Sequence, residues 1–492
     1  SLAAARRATR FRNRLPIPRE LTGSDLTIRV KPARIQILPG QETRMWTYGG
    51  SFPGPTIRRP AGKATTVTFK HRLPRSAGKL SIHLHGGHSP AVHDGQPGGP
   101  AGEDTGFFCD FDPGPAGAGN AELIAPGTQR RYHYPGREDG SPERGSFQWY
   151  HDHRCGNAGR NVWRGLAGMW ITDEPAVEDP LNLPSGARDL PLMIVDRQFN
   201  GRNQLTNPFA NPGNVPFDQV TGSKILVNGA ITPFAPVAAR RYRLRLLNAS
   251  NFRAYNLRFA NDLPMTQIAT ESGLMPVAVR RSPILIGPGE RVEVIVDFAG
   301  MRGRRLELQS VARADGANEH GSKPYQGPIM QFRVGDQVVQ DSTSTDAQLE
   351  TREGGLRPLP AWVADASPTP SFSWTVSVSG GIRPRWLING ETFDPSRVQR
   401  TVQLGQVVTW ELRNPTAVAH LMHLHHTDWY MLSRNGEAPP AHEQCLKETF
   451  FLDPDDSIVV AGKMSDHRGK YVVHCHMLEH EDHGLMSQFK VV

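Results

Sequence analysis

Short stretches in which apolar and polar residues alternate recur along the whole chain, with turn-forming residues between them. Three clear examples are residues 65–69, 242–247 and 407–412. Such alternation is typical of a β-strand with one buried face. The abundance of glycine (49) and proline (41) also favours turns and short strands over long helices. The pattern therefore predicts an all-β protein built from half-buried antiparallel strands.

These three stretches look like copies of one repeated element. They follow one another at intervals of roughly 170 residues, which is the size of an ordinary domain. The chain has 492 residues, too many for a single hydrophobic core. We therefore predict three β-sandwich domains, with a linker in the stretch 341–370, which is rich in Ser, Thr, Pro and charge. The predicted domains are residues 1–175, 176–345 and 346–492.

Composition excludes some classes of protein. No apolar run approaches the roughly 18–20 residues that a membrane-spanning helix needs. The net charge is +8, and part of this excess lies in an arginine-rich N-terminal stretch, residues 6–14. We interpret that stretch as a solvated, poorly ordered tail. A nucleic-acid-binding arm is the alternative, but no recognition motif accompanies it, so we predict no nucleic-acid partner. Arg6 and Arg7 are not a usable twin-arginine signal, because no apolar segment follows them.

Only four cysteines are present, which is too few for a disulfide scaffold. If Cys475 is a metal ligand, at most one internal pair can form among Cys109, Cys155 and Cys445. Cys109 and Cys155 both fall in the first third of the chain and are the best candidate pair. Such a disulfide would indicate an oxidising compartment, whereas two buried free thiols are an equal alternative.

Histidines are concentrated in four tight groups in the first and third predicted domains. A single His-x-His motif is weak, but four groups in two repeated domains are not a chance pattern. Residues 176–345 contain one histidine, His320, so we interpret this part as a spacer that lost its metal. The first and third domains are expected to share a metal site. The groups are His83 and His85; His151 and His153; His420, His423 and His425; and His474, His476 and His480.

Cys475 lies between His474 and His476 in the last of these groups. In a strand, alternate side chains point to opposite faces, so we expect the two histidines on one face and the thiol on the other. A thiolate with two imidazoles and a weak axial group is a blue-copper arrangement, whereas zinc prefers a closed tetrahedral site. The many further imidazoles without carboxylates also favour copper. The layout suits electron transfer between two metal sites.

With these motifs the chain resembles the multicopper oxidases over essentially its whole length. It is most similar to bacterial spore-coat laccases and bilirubin oxidases. The resemblance implies three cupredoxin-like Greek-key β-sandwich domains and four copper ions, one of type 1, one of type 2 and two of type 3. The closer match is carried by residues 83–87 (HLHGG), 149–153 (WYHDH) and 474–482 (HCHMLEHED).

The resemblance also implies a role for each ligand. The type 1 copper would be held in the third domain, and the other three coppers would lie between the first and third domains. Type 1 ligands would be His420, Cys475 and His480, and type 2 ligands would be His83 and His423. Type 3 ligands would be His85, His151, His153, His425, His474 and His476.

Two positions depart from the family pattern. Leu421 stands where a proline usually follows the first histidine of the third motif. At the axial position of the type 1 site, relatives in the spore-coat group usually carry Met, and this chain has Leu485 followed by Met486. A non-coordinating Leu485 should raise the copper potential. A shift of one residue would place Met486 there instead, so this alternative stays open.

Two carboxylates are candidates for delivering protons to the cluster. By resemblance, Glu481 and Asp94 are expected to act as proton relays. The simpler alternatives are a solvated strand-end carboxylate for Glu481 and a turn residue for Asp94. Several remaining side chains are expected to be neighbours or surface groups rather than ligands. These are His88, His93, His426, His483 and the buried thiol Cys445.

The predicted function is that of a laccase-like oxidase. Phenols and aromatic amines would donate single electrons at the type 1 site, and O2 would be reduced to water. A bilirubin oxidase or an aminophenol-coupling oxidase is the nearest alternative, followed by a Cu(I) or Fe(II) metallo-oxidase and by a non-enzymatic copper store. The expected partners are O2 and small aromatic reductants. We expect a monomer that is extracytoplasmic or secreted, with the spore coat or the cytoplasm as alternatives.

Overall fold

The computed structural model describes residues 10–98, 123–208, 220–314, 325–380 and 384–492. Within these ranges the protein is mostly β-strand, as predicted. Its helices are short. They are α1 (Ala158–Arg164), α2 (Pro175–Glu178), α3 (Asp346–Glu350) and α4 (Leu478–Asp482), with short 3-10 turns such as Arg75–Ala77 and Ala91–His93.

The first group of strands forms two facing sheets. One has the order β3-β2-β5-β7 and the other the order β1-β4-β11-β10-β6, with the hairpin β8-β9 beside them. Apolar residues from both sheets, among them Phe69 and Tyr150, fill the space between them. The strands are β1 (Glu20–Leu21), β2 (Asp25–Ile35), β3 (Thr43–Tyr48), β4 (Gly54–Pro60), β5 (Thr65–His71), β6 (Ile82–His85), β7 (Gln129–Tyr134), β8 (Arg137–Glu138), β9 (Ser141–Pro142), β10 (Ser146–Asp152) and β11 (Ala167–Asp173).

The second group forms a larger sandwich. Its sheets have the orders β14-β13-β12-β16-β21-β18-β19 and β15-β23-β22-β17-β20, with a core that includes Leu246 and Phe332. The strands are β12 (Asp189–Arg197), β13 (Lys224–Val227), β14 (Ala230–Ile231), β15 (Phe234–Val237), β16 (Arg241–Asn248), β17 (Tyr255–Phe259), β18 (Met265–Thr270), β19 (Gly273–Arg281), β20 (Ile284–Ile286), β21 (Arg291–Asp297), β22 (Arg305–Ser310) and β23 (Gly327–Val334).

The third group has the sheets β25-β24-β27-β32-β29-β30 and β26-β34-β33-β28-β31. Trp410 and Phe489, one from each sheet, are in its core. The strands are β24 (Phe372–Val378), β25 (Trp386–Ile388), β26 (Arg400–Val402), β27 (Val407–Arg413), β28 (His420–Leu424), β29 (Trp429–Arg434), β30 (Leu446–Lys447), β31 (Thr449–Leu452), β32 (Ser457–Lys463), β33 (Gly469–Cys475) and β34 (Met486–Val491).

The repeated element occupies the same place in each sandwich. The three stretches lie in β5, β16 and β27. Each pairs in parallel with the first long strand of its group and antiparallel with a later strand. The expectation of antiparallel strands was therefore wrong for one neighbour of each repeat, because the first long strand of each group lies beside the repeat and runs in the same direction. The domain limits at 175/176 and 345/346 fall between the strand groups, and we retain them as a proposal.

Two expectations about connecting segments are modified by the structure. The N-terminal stretch is not free throughout, since the amides of Phe11 and Leu15 donate to the carbonyls of Thr232 and Phe234. Arg6 and Arg7 lie outside the described residues. The predicted linker contains α3, which begins with a capping box between Thr345 and Gln348. In the part of the chain that the structure describes, no helix has the length and apolar character to cross a membrane.

Candidate functional site: two adjacent histidine clusters

Paired strands bring the histidine motifs together. In the first sandwich, β6 and β10 are antiparallel neighbours with His83 opposite His151. In the third, β28 and β33 are antiparallel neighbours with His423 opposite His474. Each sandwich thus places two motifs side by side. The histidines that these strands carry meet across the interface between the two sandwiches.

Eight histidines meet at this interface, and each is at most 3% exposed. Their rings stack in pairs that join the two sandwiches. His83 stacks on His425 with ring centroids 4.0 Å apart, and His85 stacks on His423 at 3.8 Å. The members of this histidine cluster are His83, His85, His151, His153, His423, His425, His474 and His476.

Three members of the cluster aim nitrogen atoms at a common point. The Nε2 atom of His474 lies 3.2 Å from Nε2 of His153 and 3.2 Å from Nε2 of His425. The opposite nitrogen of His425 donates to Asp94 Oδ2 (2.8 Å), and that of His474 donates to the Cys475 carbonyl (3.1 Å). In those tautomers the facing Nε2 atoms of His425 and His474 both carry lone pairs, which repel one another. A cation between them would remove that repulsion.

Other members are oriented in the same manner by main-chain acceptors. His83 donates from Nδ1 to the Asp94 carbonyl (2.6 Å), His151 to the Asp152 carbonyl (2.9 Å) and His423 to the Glu448 carbonyl (3.0 Å). Among the described residues, their Nε2 atoms have no hydrogen-bond partner although they are buried. Buried imidazole nitrogens held in this manner are typical of metal ligands.

His85 is oriented the other way round. Its Nε2 atom contacts Glu448 Oε1 (2.9 Å) and Thr449 Oγ1 (3.1 Å), so its Nδ1 atom faces the cluster. The ligand atoms of His85, His151 and His476 all lie within 4.8 Å of one another, as do those of His83, His423 and His425. The cluster therefore offers three neighbouring sets of nitrogen donors.

Burial keeps the imidazoles in the form that binds metals. Desolvation, reinforced by neighbouring imidazoles, lowers the pKa of six members well below the ordinary value, so they are neutral at pH 7. Neutral imidazole is the form that coordinates a metal ion. The six are His85, His151, His153, His423, His425 and His476.

A second, smaller site lies within the third sandwich. His420, Cys475 and His480 place their ligand atoms within 4.8 Å of one another, and Cys475 Sγ is 3.6 Å from His480 Nδ1. Burial raises the pKa of the Cys475 thiol to about 12. A metal ion would have to displace that proton, as thiolate ligation requires. The ring of Trp386 packs against both imidazoles, with centroids 4.8 Å from His420 and 4.7 Å from His480.

Cys475 connects the two sites through the chain itself. It is the last residue of β33, and its side chain joins the apolar core of the third sandwich. His474 and His476, one residue away on either side, belong to the histidine cluster, with ring centroids 5.7 Å apart. The opposite orientation of neighbouring side chains is the arrangement that the sequence predicts.

Leu485 and Met486 lie in different environments. The Leu485 carbonyl accepts a hydrogen bond from the Cys475 amide (3.0 Å), and both side chains belong to the same apolar cluster. Met486 instead packs with Cys155, Phe393 and Val472. This geometry supports Leu485 as the axial neighbour of the small site.

Both candidate relay carboxylates are buried beside the histidine cluster. Glu481 is on α4 rather than at a strand end, and its carboxylate lies 3.2 Å from His474 Nδ1 and 3.7 Å from His153 Nε2. Asp94 follows the 3-10 turn Ala91–His93 and accepts from His425 and His83. Glu481 is therefore not a solvated strand-end carboxylate, whereas Asp94 does end a turn, as its simpler alternative has it. The relay roles of both residues stay predictions.

The structure adds residues that the sequence analysis missed. Glu448 and Thr449 contact His85, Arg291 contacts Glu448, and Thr416 Oγ1 lies 3.2 Å from His420 Nε2. None belongs to a histidine motif. The only available signal was position, because β31, which begins at Thr449, pairs with the histidine-bearing strand β28.

The remaining sequence predictions fall into place around the sites. His88, His426 and His483 are buried beside the sites, and Cys445 is a buried thiol whose pKa burial raises to about 12. Cys155 is disulfide-bonded, so the alternative of a free thiol at this position is wrong. Its predicted partner Cys109 and the single histidine of the second domain, His320, lie outside the described residues.

The donor set fits copper. Neutral imidazoles with one thiolate are soft to borderline ligands, and the cluster is held in place by hydrogen bonds on the nitrogen atoms that face away from it. A small cavity lined by His83, His423 and His425 adjoins the cluster and is of about the size of one water molecule.

Comparisons with known proteins agree with this chemistry. Sequence profiles described as multicopper oxidase match residues 29–103 and 367–492. The chain is 32% identical to a laccase from Bacillus stratosphericus (92% of this chain, 91% of the relative) and 30% identical to a bilirubin oxidase from Albifimbria verrucaria (97% and 78%). A multi-copper oxidase from Pediococcus acidilactici has a similar structure, with a TM-score of 0.79, 27% identity and coverage of 98% and 91%. The chain therefore belongs to the multicopper oxidase family and is a copper-binding oxidoreductase built from cupredoxin-like β-sandwiches.

Proposed function

We propose that this protein is a laccase-like oxidase, which oxidises phenols and aromatic amines and reduces O2 to water. The observation that supports this most strongly is the position of Cys475. It contributes to one candidate metal site and is covalently joined, on both sides, to histidines of the other. A short covalent path between a thiolate site and an imidazole cluster suits electron transfer.

We assign four copper ions to these side chains. His420, Cys475 and His480 would hold type 1 copper, and His83 and His423 would hold type 2 copper. The type 3 pair would be held by His85, His151 and His476 on one side and by His153, His425 and His474 on the other. The three sets of converging nitrogen donors support this division.

Bound copper supplies the redox chemistry, namely one-electron oxidation of the reductant and four-electron reduction of O2 to two waters. The protein orients the imidazole ligands and excludes water from the thiolate site. Main-chain carbonyls fix the tautomers of His83, His151 and His423, and the surrounding apolar core excludes water from Cys475. The stacked ring pairs join the first and third sandwiches at the place where the cluster would be shared.

Glu481 and Asp94 would deliver the protons that water formation consumes. Their carboxylates contact cluster histidines directly, which places both carboxyl groups beside the site where copper would reduce O2. Glu481→Gln should lower the rate of O2 reduction by about 10²–10⁴-fold while the blue colour of the type 1 site is retained. Unchanged turnover would remove the relay role of Glu481.

The reductant is proposed from chemistry and from relatives. Aromatic rings of Trp386 and Phe252 pack on His480. Outer-sphere transfer needs only a donor close to a type 1 histidine, so loose specificity is expected. A bilirubin or aminophenol-coupling oxidase is the nearest alternative, and the named bilirubin oxidase relative supports it. A Cu(I) or Fe(II) metallo-oxidase ranks lower, because the 12 methionines are scattered along the sequence.

The test is an absorption spectrum of the copper-loaded protein together with its copper content. We expect an intense band at about 600 nm, a shoulder at about 330 nm and about four coppers per chain. The same preparation should oxidise a phenol with O2 uptake in the presence of a chelator of free copper. A colourless protein, or one that binds about one metal, would overturn the proposal.

We further propose an extracytoplasmic or secreted location. The disulfide at Cys155 supports this, since disulfides persist in oxidising compartments. The spore coat and the cytoplasm are the alternatives. The monomeric state also stays a prediction, which gel filtration with light scattering would check.

A further inference from the structure

Arg291, at the start of β21 in the middle sandwich, reaches a junction of all three sandwiches. Its side chain is fully buried. Nε donates to the carbonyl of Phe147 in the first sandwich (2.7 Å), and Nη1 donates to the carbonyl of Gly289 in the second (2.9 Å). Nη1 and Nη2 also donate to the two carboxylate oxygens of Glu448 in the third, at 2.7 and 3.1 Å. Hydrogen bonds to all three sandwiches therefore fix the position of the guanidinium.

Glu448 connects Arg291 to a candidate copper ligand, His85. Its Oε1 atom accepts from Arg291, from Thr449 Oγ1 (2.9 Å) and from His85 Nε2 (2.9 Å). An ionised carboxylate accepts hydrogen bonds only, so His85 must carry its proton on Nε2. The Nδ1 atom is then the lone-pair nitrogen, and it faces His151 and His476.

The same carboxylate is a potential competitor for the metal. The ligand atoms of His85, His423 and Glu448 lie within 4.8 Å of one another, with Glu448 Oε1 2.9 Å from His85 Nε2 and 3.9 Å from His423 Nδ1. A cation held there would use the nitrogen atoms that face away from the cluster, and so would take both imidazoles from the metal site. Arg291 engages both oxygens of Glu448 in a bidentate pair, which is the strongest geometry for an arginine and a carboxylate. The pairing keeps the carboxylate away from the metal as long as the arginine is present.

The neighbouring backbone leaves room for this pair. Gly86 has a φ of +86°, and a Cβ atom there would lie 2.3 Å from Arg291 Nη2 and 2.9 Å from Glu448 Oε2. Any larger residue would push the arginine and the carboxylate out of place. The local sequence after His85 is therefore shaped around the Arg291–Glu448 pair as well as around the metal ligands.

We infer that Arg291 and Glu448 are positioning residues of the histidine cluster: the pair fixes His85 with Nδ1 towards the metal and prevents Glu448 from becoming a ligand itself. The inference rests on the proposed copper assignment. It gives the middle sandwich, which the sequence suggested to be a spacer, a direct part in assembling the site. Residues that orient a ligand in this manner typically change metal affinity by about 10- to 100-fold when they are replaced.

The test compares Arg291→Gln and Glu448→Gln with the unmodified protein, by copper content, by absorption and by electron paramagnetic resonance. In each variant we expect copper in the histidine cluster to bind about 10- to 100-fold more weakly, with loss of the shoulder at about 330 nm. The band at about 600 nm should persist, because neither residue contacts His420, Cys475 or His480 in the described structure. In Arg291→Gln the type 2 resonance should also shift, since Glu448 becomes free to bind metal.

Two further variants separate positioning from general stability. Combining both substitutions removes both charges of the pair together and should restore part of the lost copper. Arg245→Gln is the matched control, because Arg245 is equally buried and paired with Asp189 and Glu293. It should lower thermal stability but leave the copper content and both spectra unchanged.

The outcomes distinguish the two proposals. If unmodified protein binds far fewer than four coppers, the proposed function fails and this inference fails with it. If unmodified protein loads fully and both single variants keep full copper and an unaltered spectrum, this inference alone is overturned. Equal copper loss in Arg245→Gln would also overturn it, because the effect would then be one of stability.

Discussion

At the scale of single residues, Leu485 is expected to set the potential of the small copper site. Its side chain shares an apolar cluster with Cys475, and Leu485→Met would bring a weakly coordinating thioether to that position. We predict a lower reduction potential for the type 1 copper, since the axial ligand tunes it. Because leucine and methionine have similar volumes, the stability cost should stay below about 1.5 kcal/mol. A redox titration followed at the band at about 600 nm measures the potential.

Met486→Leu is the matched control for that prediction. Met486 packs against Cys155, Phe393 and Val472, away from the small site, so its replacement should leave the potential unchanged. A potential that responds to Met486→Leu and not to Leu485→Met would show that Met486 is the axial residue.

Glu143 should make the stability of the protein depend on pH. Burial raises the pKa of its carboxyl from 4.5 to about 7, although Gln148 Nε2 donates to it at 2.8 Å. Below pH 4.5 the group is protonated in both the folded and the unfolded chain. As the pH rises towards 7 only the folded chain keeps the proton, so the free energy of unfolding falls. At about 1.4 kcal/mol per pKa unit, the loss is on the order of 3 kcal/mol.

Thermal unfolding at pH 4.5 to 8 tests this prediction against Glu143→Gln. The glutamine keeps an oxygen that can accept from Gln148 but does not titrate, so the difference between the two proteins isolates Glu143. The variant should lose less stability with rising pH than the unmodified protein. Parallel curves for the two proteins would refute the assignment.

At the scale of elements, helix α4 is held by a contact with α1. Asp482, at the end of α4, accepts from the amides of Ala158 and Gly159 at 3.0 and 2.9 Å, and it is 1% exposed. Carboxylates favour the positive end of a helix, and here the contact links the element that carries His480 and Glu481 to the first sandwich. We predict that Asp482→Ala destabilises the protein by about 1–3 kcal/mol for each buried donor left unpaired.

Thermal unfolding of Asp482→Ala and Asp482→Asn measures that cost. Asparagine keeps one acceptor oxygen and should lose about half as much stability as alanine. If both variants unfold at the temperature of the unmodified protein, the link between the helices carries no stability.

The strands were predictable because their signal is local, whereas α4 was not. Alternation in residues 65–69, 242–247 and 407–412 is enough to mark β5, β16 and β27. The parallel neighbours of these strands could not be anticipated, since pairing depends on which distant strand enters the sheet. The five residues of α4 are too few to show a helical period, so the sequence showed no sign of this helix, and a strand end was considered as the alternative setting for Glu481.

At the scale of the whole molecule, the ligands could be predicted from the sequence, whereas the residues that hold the ligands in place could not. The histidine motifs are visible because their members lie within a few residues of each other. The supporting contacts join distant parts of the chain, with 363 positions between His85 and Glu448 and 157 between Arg291 and Glu448. A lone Glu or Arg in a strand carries no signal of such a partner, so only the folded structure reveals it.

Removal of copper should loosen the contact between the first and third sandwiches. Eight buried imidazoles meet there, and the lone pairs at the meeting point of His425 and His474 repel one another without a cation between them. Metal that binds only the folded chain adds about 4 kcal/mol per site when its free concentration exceeds Kd a thousandfold. We therefore predict that chelated protein unfolds at a clearly lower temperature, and that added Cu²⁺ restores the original transition.

Cys475→Ser decides which site is responsible for that shift. It removes the thiolate of the small site and the blue colour but leaves all eight histidines of the cluster, so most of the copper-dependent stabilisation should remain. The cluster bridges two sandwiches, whereas His420, Cys475 and His480 belong to one, and only a bridging site can stabilise their contact directly. If copper no longer shifts the unfolding temperature of Cys475→Ser, the stabilisation comes from the small site, and the cluster does not hold the sandwiches together.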